Sequence, residues 1–214
     1  MGRIFLLLGV LCIALPAQAA EDARIVEMHS VPAGPADDAT YTMNVNLYFF
    51  LGSRWQPDDV AQRLPAVATL LAQCGMALGR AQMHVIDAPQ RFRSYSTRTS
   101  RELLRLLAVS RPALFFVDET LNDPPFDAET IGLANAATRP ELAQTIWVAH
   151  GARDLDVALA HELVHLLSNS GEHSDDPGNL MRDESSRDNI RLNAAQCARA
   201  AASGEAQRLL VRRR

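Results

Sequence analysis

The sequence predicts a single α+β domain in which a sheet is assembled early and a histidine-bearing helix is laid on it late. Three patterns predict this. Short runs of apolar, β-branched and aromatic residues recur at 42–51, 82–87, 113–118, 130–137 and 144–150. Segments with apolar residues at helical spacing lie between and after them. No internal repeat or low-complexity stretch interrupts the 214 residues. Once an N-terminal leader is set aside, about 195 residues remain, enough for one domain with a substantial core.

Taken in order, Arg3, the apolar stretch 4–15 and Ala17-Gln18-Ala19 read as a signal peptide over 1–19, so the mature chain begins at Ala20. That stretch is shorter than the roughly twenty residues a bilayer span needs, so no stable membrane anchor is expected after cleavage. Gly9 and Leu11 around Cys12 do not form a lipoprotein box. The protein is therefore expected to be exported, periplasmic or extracellular. Residues 20–40 are polar and broken by Pro32, Gly34 and Pro35, which predicts a loose leader before a domain over 41–214. Within 42–51, Asn44 and Asn46 alternate with Val45 and Leu47, the signature of a strand.

Pro57-Asp58-Asp59 starts a helix that runs to Ala72, with a bend at Pro65. A strand at 82–87 precedes a helix at 99–109, whose buried stripe is Leu103, Leu104, Leu106 and Leu107. After the strand at 113–118, Asn122-Asp123-Pro124-Pro125 marks a loop. Two short strands, 130–137 and 144–150, flank a turn at Thr138-Arg139-Pro140. Asp154 or Asp156 caps the next helix, and a polar loop after Met181 leads to a last helix over 192–210.

The formal charge of −4 becomes about −5 when 1–19 are removed, because Arg3 is the only charged residue there. No basic run suits a nucleic-acid partner, and Arg212-Arg213-Arg214 reads as a solvated tail. Cys74 and Cys197 make an even pair in the mature chain, which in an exported protein predicts one disulfide joining the first long helix to the last. Neither is spaced as a metal ligand. No pattern speaks to oligomeric state.

Chemistry is concentrated in His161-Glu162-Leu163-Val164-His165. Residues four apart share a helix face, so both imidazoles can reach one metal ion while the carboxylate beside the first handles protons. Ala158, His161, His165 and Ser168 form one face, and Leu159, Leu163 and Leu166 form a stripe on the other. Breakers in Ser168-Asn169-Ser170-Gly171 end the helix, with Gly171 free to take a positive φ, and the turn carries His173 back as a third ligand. Three protein ligands and an open position are what a hydrolytic Zn²⁺ site needs. Glu184, nineteen residues after His165, is a rival third ligand, and a thermolysin-type third-ligand helix would use it with Asp188 nearby. His29, His84 and His150 read as surface, core or strand-end residues, and Asp175 and Asp176 as solvated loop acids.

The segment from His173 to Met181, His-Ser-Asp-Asp-Pro-Gly-Asn-Leu-Met, resembles the matrixin branch of the metzincin zinc metallopeptidases, which carries a Met eight residues after its third His. The resemblance covers about residues 154–181, a span set by the metal motif and the turn after it. It implies a metzincin-like domain: a twisted mixed sheet backing a cleft, an active-site helix and a C-terminal helix. It also implies His161, His165 and His173 as zinc ligands, Glu162 as general base and acid, and Met181 in a tight turn beneath the metal. An edge strand around Ile131-Gly132-Leu133-Ala134 would pair with an extended substrate. The family pattern H-E-x-x-H-x-x-G-x-x-H puts Gly at 168 and the third ligand at 171, whereas this chain has Ser168, Gly171 and a His two residues later. Arg182-Asp183 replaces the Tyr-Pro that often follows the Met. The activity so implied is cleavage of a peptide or protein substrate. The alternative is a zinc-containing binding or structural protein without turnover.

Overall fold

The computed structural model describes residues 23–34 and 38–213; the signal peptide read over 1–19 lies outside them. In chain order the elements are strands β1 (Arg24–Pro32) and β2 (Tyr41–Phe50), helices α1 (Pro57–Ala61) and α2 (Leu64–Ala72), and strand β3 (Met76–Asp87). Then follow β4 (Ser94–Tyr95), α3 (Thr97–Leu106), β5 (Ala113–Val117), β6 (Glu119–Thr120), β7 (Ala128–Ile131) and β8 (Thr145–Ala149). Helices α4 (Leu155–Ser168) and α5 (Ala194–Ala206) and the short strand β9 (Val211–Arg212) complete the chain. The main sheet runs β1-β3-β2-β5-β8-β7, with β9 against the start of β2. Strands β3, β2, β5 and β8 are parallel, while β1 and β7 are antiparallel edges. This is a mixed sheet, as the sequence led us to expect.

Strands β5 and β8 are buried at every residue because both faces of the sheet are covered there. On one face Phe49, Phe116 and Val148 pack with Leu71 of α2 and with Leu159, Leu163 and Leu166 of α4. On the other, Tyr48, Phe115 and Trp147 pack with Leu103 of α3. Register aligns these side chains across strands: Tyr48 stacks on Phe115 at 4.8 Å and Phe115 on Trp147 at 4.3 Å. Cross-strand aromatic pairs of this kind stabilise a sheet and pin its register. Cys74, just after α2, is bonded to Cys197 in α5, joining the two helices as the paired cysteines predicted.

Several expectations are corrected. The leader expected over 20–40 contains β1, which pairs antiparallel with β3 from Arg24↔Asp87 to Pro32↔Arg80. Its polar look reflects exposure on nearly every residue of a sheet edge. Strand β3 starts six residues before the expected 82. Gly79 and Arg80 masked that start, yet Gly79 is needed there, since a Cβ would lie 2.7 Å from Thr42 Cγ2. The helix expected over 57–72 breaks at Gln62-Arg63, and Pro65 sits in the first turn of α2, where its missing N–H costs nothing. Leu106 is 45% exposed, so the stripe of α3 is Leu103, Leu104 and Leu107. The strand expected over 130–137 is instead β7, and the sheet edge lies at Ala128–Ile131, so that of the segment 131–134 only Ile131 belongs to it. Asp154 stands before α4 in left-handed backbone without a capping bond, and its carboxylate takes Arg187 Nε at 2.7 Å.

Candidate metal centre

Helix α4 is buried along its length from Val157 to Leu167, lying across the sheet against α2, β7 and α5. Its leucines enter the core, which fixes the helix rotation and brings His161, Glu162 and His165 to the border of a cleft, each less than a tenth exposed. The helix ends at Asn169, whose φ of 49° is the left-handed conformation Asn tolerates. Gly171, expected to make this turn, does not have a positive φ. Asn169 Oδ1 accepts the Ala134 N–H at 2.9 Å, tying the helix end to the segment after β7. The chain then folds back and delivers His173.

The three rings converge. His165 Nε2 lies 2.8 Å from His161 Nε2 and 3.1 Å from His173 Nε2. His161 Nδ1 is 2.8 Å from the Leu180 carbonyl, and His165 Nδ1 is 2.7 Å from the Ser170 carbonyl. A carbonyl only accepts, so in both rings Nδ1 carries the hydrogen and Nε2 presents a bare lone pair. Two lone pairs this close repel unless a cation lies between them. His173 Nδ1 faces the exposed Asp183 Oδ1 at 3.4 Å, a charge contact that favours the same inward direction for Nε2. Partners of this kind on the outer nitrogen are typical of metal-bound imidazoles. The three histidines thus could hold a metal ion, and the donor set fits one.

Electrostatics agree with neutral rings. Burial lowers the pKa of His161, and burial together with the neighbouring His161 takes His165 down to about 4. Glu162 is pushed up to about 7 by burial, against an opposing hydrogen bond from Thr130. Thr130, on β7, also donates its hydroxyl to the Glu162 carbonyl at 2.9 Å, joining the edge strand to the helix.

The Leu180 carbonyl is held on His161 by the loop around it. Leu180 N–H donates to the Arg191 carbonyl at 2.7 Å, Met181 N–H to Asn179 Oδ1 at 2.9 Å, and Ser174 N–H to the Met181 carbonyl at 2.7 Å. Met181 is buried in the core. Glu184 is exposed on the cleft wall and outside the histidine cluster. His29 is exposed on β1, His84 is buried against Tyr48, and His150 packs edge-on to Trp55; none joins the site. Asp175 and Asp176 lie in the loop, both exposed. Sequence spacing gave no sign of Thr130 or Asp183. The signal for the helix end lay in Asn169, since Asn tolerates left-handed backbone.

The cleft before the histidines has a volume of about 750 Å³ and runs along β7. No protein-family model matches the chain, and no curated protein matches it in sequence. In fold it is similar to the crystal structure of metalloproteinase-II from Bacteroides fragilis, with a TM-score of 0.51 and 17% identity. The likeness covers 87% of this chain and 59% of that one, so this chain spans less than two thirds of its neighbour's length. It establishes the fold: one mixed α/β domain with a twisted sheet and a helix across one face.

Proposed function

We propose that this chain is an exported zinc-dependent endopeptidase that hydrolyses peptide bonds in peptide or protein substrates. The observation that carries the reading is the convergence of three imidazole lone pairs beside a buried carboxylate in an open cleft. Three nitrogen ligands with no thiolate match the donor set of hydrolytic zinc sites. When bound, zinc supplies Lewis acidity, bringing the pKa of water near neutrality and polarising a carbonyl. His161, His165 and His173 would hold it.

The chain's own groups divide the remaining work. The carbonyls of Leu180 and Ser170 and the carboxylate of Asp183 keep each ring's Nε2 turned inward. Glu162, at about 7, is suited to take a proton from water onto its carboxylate and return it to the leaving amine. Met181 would form the turn beneath the site, supported by its burial and by the bonds that hold the neighbouring Leu180 carbonyl on His161. The edge strand β7 offers backbone to an extended peptide along the cleft. Export is supported by the Cys74–Cys197 disulfide, which suits an oxidising compartment, and by the signal-like start of the sequence. No described helix is long and apolar enough to cross a membrane.

The test is peptide cleavage by the zinc-loaded chain starting at Ala20, with a diverse peptide pool read by mass spectrometry and Glu162→Ala run alongside. Cleavage that disappears in the variant is the expected result. Silence from folded, zinc-loaded protein would refute it in favour of a zinc-containing binding protein without turnover.

A further inference from the structure

Resting on the peptidase reading above, we infer that the cleft takes cationic peptides, with Lys or Arg side chains flanking the bond to be cut. Carboxylates border it on several sides. Asp127 and Glu129 come from the β7 segment, Asp183 and Glu184 from the segment after Met181, and Glu162 from α4. Arg153 is the single guanidinium among the lining residues. The whole chain is far more balanced, with 21 Lys and Arg against 25 Asp and Glu, so the imbalance belongs to this cleft. Even with a dication on the histidines, the lining stays net negative.

Two of these acids, Asp127 and Glu184, are left free to meet a ligand. Asp183 is committed to His173, and Glu129 has Arg139 only at 3.9 Å. Asp127 and Glu184 are exposed, and among the described residues neither side chain has an ion-pair partner. The same cleft holds the convergent histidines, so the charges surround a place where a ligand is independently indicated. An extended peptide lying along β7 would pass both sets of carboxylates. Like-signed lining repels acidic peptides as it attracts basic ones, which gives selectivity even where each contact is weak.

The experiment measures binding apart from turnover. Zinc-loaded Glu162→Ala protein is titrated with two fluorescent peptides of equal length and apolar content, one bearing Arg and Lys, the other Glu. Wild type is assayed for cleavage of the same pair. The cationic peptide should bind the tighter, by less at high salt. Adding Asp127→Asn and Glu184→Gln should shrink that preference by roughly 2- to 20-fold, at a few-fold for each exposed charge. Equal binding of the two peptides, or an unchanged preference after neutralisation, would overturn the inference. Wild type that cuts both peptides equally well would also overturn it and leave the peptidase reading standing. Charge-selective binding without cleavage would sustain the inference and sink the peptidase reading.

Discussion

Replacing Asn169 separates two contributions that one residue makes to the candidate metal centre. Its left-handed backbone, φ 49° and ψ 41°, ends α4 and points the Ser170 carbonyl at His165, and its side chain holds the Ala134 N–H. For Asn169→Ala, holding Ala in left-handed backbone costs about 1 kcal/mol. Losing the side-chain hydrogen bond costs about another 1 kcal/mol. Asn169→Gly loses only the bond, since Gly takes this backbone freely. Urea unfolding should therefore rank wild type above Gly above Ala, with the Ala variant about 2 kcal/mol down and Gly about halfway. Zinc affinity, measured by competition with a chromophoric chelator, should fall by about 10- to 100-fold in Ala, because the partner of a ligand's outer nitrogen has moved. Ala and Gly variants that are indistinguishable in both assays would refute the backbone argument.

Asp183→Asn keeps the size of the side chain facing His173 but removes its charge, and should weaken zinc binding by about 10-fold with the circular dichroism spectrum unchanged. An unaltered affinity would show that Asp183 does not orient the ring. Gly204→Val places a Cβ 2.7 Å from Leu210 Cδ1 and 3.0 Å from Leu167 Cδ2 where α5 meets α4. Overpacking of about 1–3 kcal/mol exceeds the few tenths gained in helix propensity, so the melting temperature should drop by several degrees, and a rise would contradict the packing. Glu141 is held down at about 2, first by hydrogen bonds from Arg101 and further by Arg105. A depressed carboxylate stabilises the fold above its unfolded pKa, about 4.3, and loses that contribution as pH falls toward 2. The stability gap between wild type and Glu141→Gln should accordingly close across that window, and a gap that stays constant down to pH 2 would exclude the linkage.

What was legible in the sequence was whatever a local period records. The buried strands β5 and β8, the amphipathic α3 and the histidine spacing on α4 each follow from residues a few positions apart. Elements defined by a distant partner were not legible. Strand β1 looks like a polar leader because its order comes from pairing with the distant β3, from Arg24↔Asp87 to Pro32↔Arg80, while its side chains stay in solvent. The outer partners of the rings were equally hidden. Two are backbone carbonyls, at Ser170 and Leu180, and a carbonyl leaves no residue-type signal at its position. Asp183 and Thr130 are common residues whose meaning comes only from where the loop and the edge strand bring them.

The late position of His173 follows from the helix end. In the H-E-x-x-H-x-x-G-x-x-H pattern a glycine three residues after the second His makes the turn. Here α4 continues through Ser168, and the left-handed residue is Asn169, so one of the two extra residues extends the helix. The other lengthens the return segment Ser170-Gly171-Glu172, where nothing within 4 Å confines a Cβ at Gly171 and Glu172 is paired with Arg199 of α5. The helix end and the open segment together bring His173 Nε2 to 3.1 Å from His165 Nε2. Asn suits the turn better than Gly would, because only a side chain can also hold Ala134 beside the edge strand. The departure in spacing and the link between α4 and the segment after β7 are thus two consequences of one residue.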